Sequence, residues 1–128
     1  MRTFTLIVLS ILLFPANDAL ACSCAHPAAR QIINSSAAIF AGVAQRSRPV
    51  SSREAMTTFR VTRGYKGVAT GRTIWVRHLR GPSPSCGIQF TRGTSYVVMT
   101  NRGQPVSLCS IAVMRSPAGQ EALRILRR

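Results

Sequence analysis

The chain has 128 residues, with seventeen Lys and Arg against three Asp and Glu, and four cysteines. A net charge of +14 beside 46% hydrophobic residues excludes a disordered polar tail and indicates one basic domain that suits an anionic partner. His26, His78, Glu54 and Glu121 have no spacing that pairs them for acid–base work, so neither an enzyme nor a cofactor is expected.

In chain order, Arg2 is followed by an apolar run from Phe4 to Phe14, too short to span a bilayer. Ala19-Leu20-Ala21 then supplies the small residues of an A-x-A cleavage site. The expectation is a signal peptide over 1–21 and a single exported domain over 22–128 that begins on Cys22, in a secreted, periplasmic or extracellular setting. Cleavage removes Arg2 and Asp18, one charge of each sign, so the mature chain keeps its net charge of +14. Cys24 follows Cys22 at a C-x-C spacing, and Cys86 and Cys109 are the other two cysteines. A Cys22–Cys24 bridge would close a strained, very small ring, so each early cysteine is expected to join a late one. Either pairing closes a long loop, worth on the order of 4 kcal/mol per bridge.

His26-Pro27 leads into a short helix over Ala28 to Asn34. Ala37 to Gln45 reads as a strand buried on both faces, with Gly42 marking a bulge or bend. Ser47 to Glu54 reads as a polar loop. Met56 to Arg63 alternates, with Thr57, Phe59 and Val61 on one side and Thr58, Arg60 and Thr62 on the other. Gly64 to Gly67 turns the chain. Further strands are expected over Thr73 to Leu79, Thr94 to Thr100 and Val106 to Val113, with breaks at 81–85 and 101–103. A final helix starts with Ser116 as cap and Pro117 in its first turn, and packs Leu123, Ile125 and Leu126 inward. Five short strands with flanking helices suit an all-β, five-stranded Greek-key barrel of the OB type.

The motifs Cys22-Ser23-Cys24, Thr58-Phe59-Arg60-Val61-Thr62-Arg63-Gly64-Tyr65-Lys66-Gly67, Cys86-Gly87 and Leu108-Cys109-Ser110 occur in this order. Together they resemble the netrin-like module, specifically the N-terminal domain of tissue inhibitors of metalloproteinases. That resemblance implies an OB-type barrel with two disulfides, Cys22–Cys86 and Cys24–Cys109. It also implies a secreted inhibitor of zinc metalloendopeptidases. In such an inhibitor Cys22 chelates the zinc of the target protease, while Ser23, Cys24, Ala25, Pro84 and Ser85 touch the protease. The sequence departs from the family in Ala25-His26-Pro27, where the Pro comes one residue later, and in Pro84-Ser85 before Cys86. The family's third N-domain bridge has no counterpart.

Other readings are a non-inhibitory, secreted or envelope-attached basic module for polyanions or proteins, and a chain lipid-anchored at Cys22. Anionic glycans or lipid head groups would meet Arg72, Arg77, Arg80, Arg92 and Arg102. Cys22, Cys24 and His26 would form a copper or zinc site only with reduced thiols, against the oxidising setting. Tyr65, Trp75, Phe90 and Tyr96 are expected in the core, and export argues against a nucleic-acid partner.

Overall fold

A computed structural model describes residues 29–81, 86–101 and 104–128. Among them the elements run α1 (Ala29–Ser35), β1 (Ala38–Pro49), β2 (Glu54–Lys66), β3 (Thr73–Leu79), β4 (Ser95–Thr100), β5 (Ile111–Val113) and α2 (Pro117–Leu126). The five strands form one antiparallel sheet in the order β3-β2-β1-β4-β5. The fold is therefore mostly β, with two short helices.

The central strand β1 is long enough to pair with β2 along its length and with β4 over Ala38 to Val43. Ile39, Phe40, Ala41 and Ala44 are all buried, as expected of a strand covered on both faces. Register shifts against β2 fall between Ile39 and Phe40, Ala41 and Gly42, and Ala44 and Ser47. Such bulges bend and twist a strand, which lets one long strand curl instead of lying flat. Gly42 sits at one of these shifts, where a Cβ would lie 3.0 Å from the Arg60 carbonyl oxygen and 3.1 Å from the Phe40 ring.

Two of the expected boundaries differ. The loop foreseen from Ser47 narrows to residues 50–53, because Ser47, Arg48 and Pro49 continue the ladder opposite Thr57, Met56 and Ala55. Pro49 is tolerated at the last position of the strand, where a missing N–H breaks no interior rung. The strand foreseen over Val106 to Val113 is interrupted by a 3₁₀ turn at Leu108–Ser110, leaving Ile111–Val113 as β5. Val106 instead forms a parallel bridge to His78, with Leu79 N–H donating to the Val106 carbonyl and Val106 N–H donating to that of Arg77, both at 2.9 Å. This bridge draws the two ends of the sheet together, but no continuous ladder joins β3 to β5, so the sheet is not a closed barrel.

The inner face gathers Phe40, Phe59, Val61, Val76, Phe90, Tyr96 and Val98. Phe59 is the hub: its ring meets Phe40 at 5.6 Å, Phe90 at 4.9 Å and Tyr96 at 6.4 Å, all edge to face. This is the preferred arrangement of aromatic quadrupoles. Tyr96 buries its ring and keeps its hydroxyl satisfied by the Thr91 N–H at 3.0 Å. On the other face, Val97 packs with Ala122 and Leu123 of α2. The Ser116 side chain caps α2 by accepting from Gly119 N–H at 3.1 Å, and Pro117 stands in the first turn.

Replacing Phe59 with Ala is expected to lower the unfolding free energy by about 3–5 kcal/mol, since the cavity opens among rings that cannot all collapse into it. Arg60→Ala, on the exposed side of the same strand, is expected to change it by less than about 0.5 kcal/mol. Urea titration of the two variants checks the contrast.

Candidate functional site

Three groupings on this fold carry chemistry. The first is the cysteine-bearing end of the sheet. After Arg80, residues 82–85 lie outside the described ones, and the chain re-enters at Cys86. Cys86 has φ 56°, the one positive φ at a non-glycine position among the described residues. A residue with a Cβ adopts this conformation only where its surroundings hold it there. Two such constraints are present. The Cys86 carbonyl accepts from Leu108 N–H at 3.0 Å, and the Cys86 sulfur is disulfide-bonded.

Cys109 follows Leu108 in the 3₁₀ turn and is disulfide-bonded as well, so neither cysteine is a free thiol. Gly87 makes this close approach possible: a Cβ there would overlap the Arg80 carbonyl. Ile88 then pairs back to Arg80, with its N–H donating to the Leu79 carbonyl at 2.8 Å. Cys86 and the turn around Cys109 are thus neighbours. Cys22, Ser23, Cys24, Ala25, Pro84 and Ser85 lie outside the described residues, as does the C-x-C-x-H grouping with His26.

The second grouping is a polar row crossing three strands, buried at Thr57 and His78 and exposed at Ser47. Ser47 on β1 meets Thr57 on β2 at 2.6 Å, and Thr57 meets His78 Nε2 on β3 at 2.7 Å. His78 Nδ1 lies 3.0 Å from the Leu79 carbonyl. A carbonyl oxygen only accepts, so Nδ1 carries the ring proton and Nε2 accepts from the Thr57 hydroxyl, which accepts from Ser47. His78 is 2% exposed, and its ring packs edge to face on Phe90 at 4.8 Å. Burial pushes its pKa below 6.5, while the backbone carbonyls of Leu79 and Ile88 oppose that shift. The row opens at Ser47 onto a cleft of about 310 Å³ lined by Arg48, Arg80 and Gln89. His78 reaches the exposed Ser47 hydroxyl only through Thr57, and the Thr57 hydroxyl that it touches directly is fully buried, away from any substrate. The row acts as a hydrogen-bonded clamp on β1, β2 and β3.

The third grouping is the outer face of the same three strands. Trp75, expected in the core, is 50% exposed, because the alternation of β3 puts Val76 and His78 inward and Trp75 and Arg77 outward. The Arg48 guanidinium lies 5.1 Å from the Trp75 ring centroid. Phe90 and Tyr96 are in the core as foreseen, and Tyr65 is half-buried beside Arg63 at 5.5 Å. Of the arginines singled out in the sequence, Arg77 and Arg92 border clefts that Trp75 also lines. Arg80 bonds the Ser51 carbonyl at 2.9 Å, and Arg72 stands at the turn before β3. Arg102 lies outside the described residues. Arg46 and Arg48, which sequence reasoning passed over, join the face through the β1 bulge.

Among the described residues no group of three His, Cys, Asp or Glu is placed to hold a metal ion. No helix among them is long and apolar enough to cross a membrane. The chain matches no protein-family model and no curated protein sequence.

The His78 row predicts a pH step in stability. The folded protein keeps His78 neutral, whereas the unfolded chain protonates it near the ordinary 6.5. Stability is therefore full above that value. It falls as pH drops through it and levels off once the lower folded pKa is passed. Denaturation curves at pH 7.5 and 5 are expected to show this loss in the native chain and a smaller one in His78→Gln.

Proposed function

We propose that the exported chain folds as a Greek-key barrel of the OB type, clamped by Cys22–Cys86 and Cys24–Cys109, and inhibits zinc metalloendopeptidases through Cys22. The observation that carries this reading is the pairing of the Cys86 and Cys109 segments, held side by side at 3.0 Å with both sulfurs disulfide-bonded. A C-x-C segment bridged to two adjacent anchors has its first residue fixed at one end of the sheet. The strand order and the parallel His78–Val106 bridge also support an OB-type closure.

A catalytic zinc keeps one coordination position for water beside its three protein ligands. The free α-amino nitrogen and the carbonyl oxygen of Cys22 form a five-membered chelate that takes the place of this water, which the protease must activate. Bridging fixes this edge before binding, so little ordering cost remains on association. Ser23 then enters the first specificity pocket, and its small side chain suits broad recognition. Pro84 and Ser85 would lie beside it through the Cys22–Cys86 bridge.

The test compares protein beginning at Cys22 with protein carrying one extra residue before it, against a panel of zinc endopeptidases. The extra residue converts the amine to an amide, which cannot coordinate. Inhibition is expected to fall by more than the roughly 100-fold that loss of an outer-shell partner costs a metal site. It is also expected to weaken as pH falls below about 7.7–8.0, where the α-amino group takes up a proton. Equal potency of the two forms would overturn the chelation mechanism.

A further inference from the structure

We propose that the outer face of β1, β2 and β3 around Trp75 binds an acidic polysaccharide, with a sugar ring stacked on the indole and its carboxylates or sulfates held by Arg46, Arg48 and Arg92. This inference is independent of the N-terminal edge.

Trp75 is the only tryptophan in the chain and stands half-exposed on a strand whose other face is packed. In the β2–β3 ladder Thr58 faces Trp75, and Met56 faces Arg77. Between Ala44 and Ser47 the β1 register shifts, leaving Gln45 and Arg46 together opposite Thr58. The shift brings Arg46 to the indole, where both line a cleft of about 510 Å³ with Thr58 and Arg92. Arg92 sits in the turn whose Gly93 N–H donates to the Ala44 carbonyl at 2.8 Å, which fixes that turn against β1. The Arg48 guanidinium lies over part of the indole, 5.1 Å from the ring centroid. Trp75 also lines a second cleft of about 450 Å³, together with Arg77, Asn101 and Gln104. The indole thus borders two clefts, each of which also carries an arginine, so a polymer seated on it can meet more than one cation.

Charge selects an anionic partner. The described residues hold two acidic side chains, and each is already paired: Glu54 with Arg77 at 3.3 Å and Glu121 with Arg124 at 2.7 Å. Among the described residues, Arg46, Arg48 and Arg92 therefore have no carboxylate side chain as an ion-pair partner. Guanidinium groups bind carboxylate and sulfate through paired N–H donors. The aromatic selects among anionic polymers. A pyranose ring presents a flat face of C–H groups that covers an indole, with the acidic groups projecting from the ring edge toward the flanking arginines. Single-stranded nucleic acid is held by stacking successive bases on several aromatics, and this face offers one.

The sole tryptophan makes its own reporter. Emission of the disulfide-bonded protein is titrated with polygalacturonate (carboxylate only), heparin (sulfate and carboxylate), neutral dextran and an oligo-dT strand. A saturable emission change with either acidic polysaccharide, absent with dextran and weaker with oligo-dT, is expected. Whichever acidic polymer binds more tightly identifies the anionic group preferred. Because Trp75 is the reporter, its variants are compared by retention on the immobilised acidic polymer. Trp75→Thr is expected to weaken binding about tenfold or more, and Trp75→Phe, which keeps a ring, by less. The double variant Arg46→Gln, Arg92→Gln is expected to weaken it and reduce its salt dependence. The control triple Arg124→Gln, Arg127→Gln, Arg128→Gln leaves binding within about twofold. Thermal melts confirm that each variant is folded, and the arginine pair carries the test if Trp75→Thr is not. Equal weakening by the control triple, binding of dextran, or tighter binding of oligo-dT would each overturn the proposal.

Discussion

The structure depends on the edge-to-face packing around Phe59. This ring sits at 0% exposure on β2 and touches Phe40 from β1, Phe90 from the segment before β4, and Tyr96 from β4. These contacts draw the curled ends of the sheet over one another. In a small domain such burial is the main favourable term, because few other residues are available to supply it. The Ser47–Thr57–His78 row lies beside this cluster, joined to it through the His78–Phe90 contact. No buried side-chain polar atom among the described residues lacks a partner, so the polar row does not weaken the apolar core it borders.

The same curvature sorts the surface. A bulge adds a residue to one strand, so two side chains face one across the ladder. At Gln45 and Arg46 this happens next to the Ser47–Thr57 pair, and it places a guanidinium on the outer face without disturbing that hydroxyl contact. The inner row fixes strand spacing, and the outer face inherits it. The position of Arg48 over Trp75 follows from the Arg48–Met56 and Thr58–Trp75 pairs of the two ladders that share β2.

Much of the fold was legible in the sequence. The limits of β3 match the alternation of Thr73 to Leu79, and the Ser116–Pro117 start of α2 is as its capping chemistry requires. The inward set Thr57, Phe59 and Val61 also follows from period-two patterning. The break of the Val106 to Val113 strand was not legible, because the 3₁₀ turn at Leu108 is tied to the distant Cys86 carbonyl. Local sequence carries no trace of such a tertiary constraint. Trp75 was assigned to the core on residue type, although its own alternation with Val76 and His78 already placed it outward. Arg46 was illegible for a different reason, since its position depends on a register shift. Of the edge proposed to block a protease, the described residues contain only the two proposed anchors, Cys86 and Cys109.

Charge density and covalent anchoring are linked. At +14 over 128 residues, with each described carboxylate already paired, the isolated chain carries self-repulsion that favours expanded states. Disulfides act on the other side of that balance, since they restrict the unfolded ensemble whatever the net charge. A domain held this way can keep cations on one face without neutralising them internally. That is the condition an anion-binding surface requires, because an arginine already satisfied by a neighbouring carboxylate would have to exchange one partner for another. Arg77, held by Glu54, is in that position, whereas among the described residues Arg46 and Arg92 have no such carboxylate. The arginines without a described carboxylate partner thus include those where the β1 bulge and the turn before β4 meet.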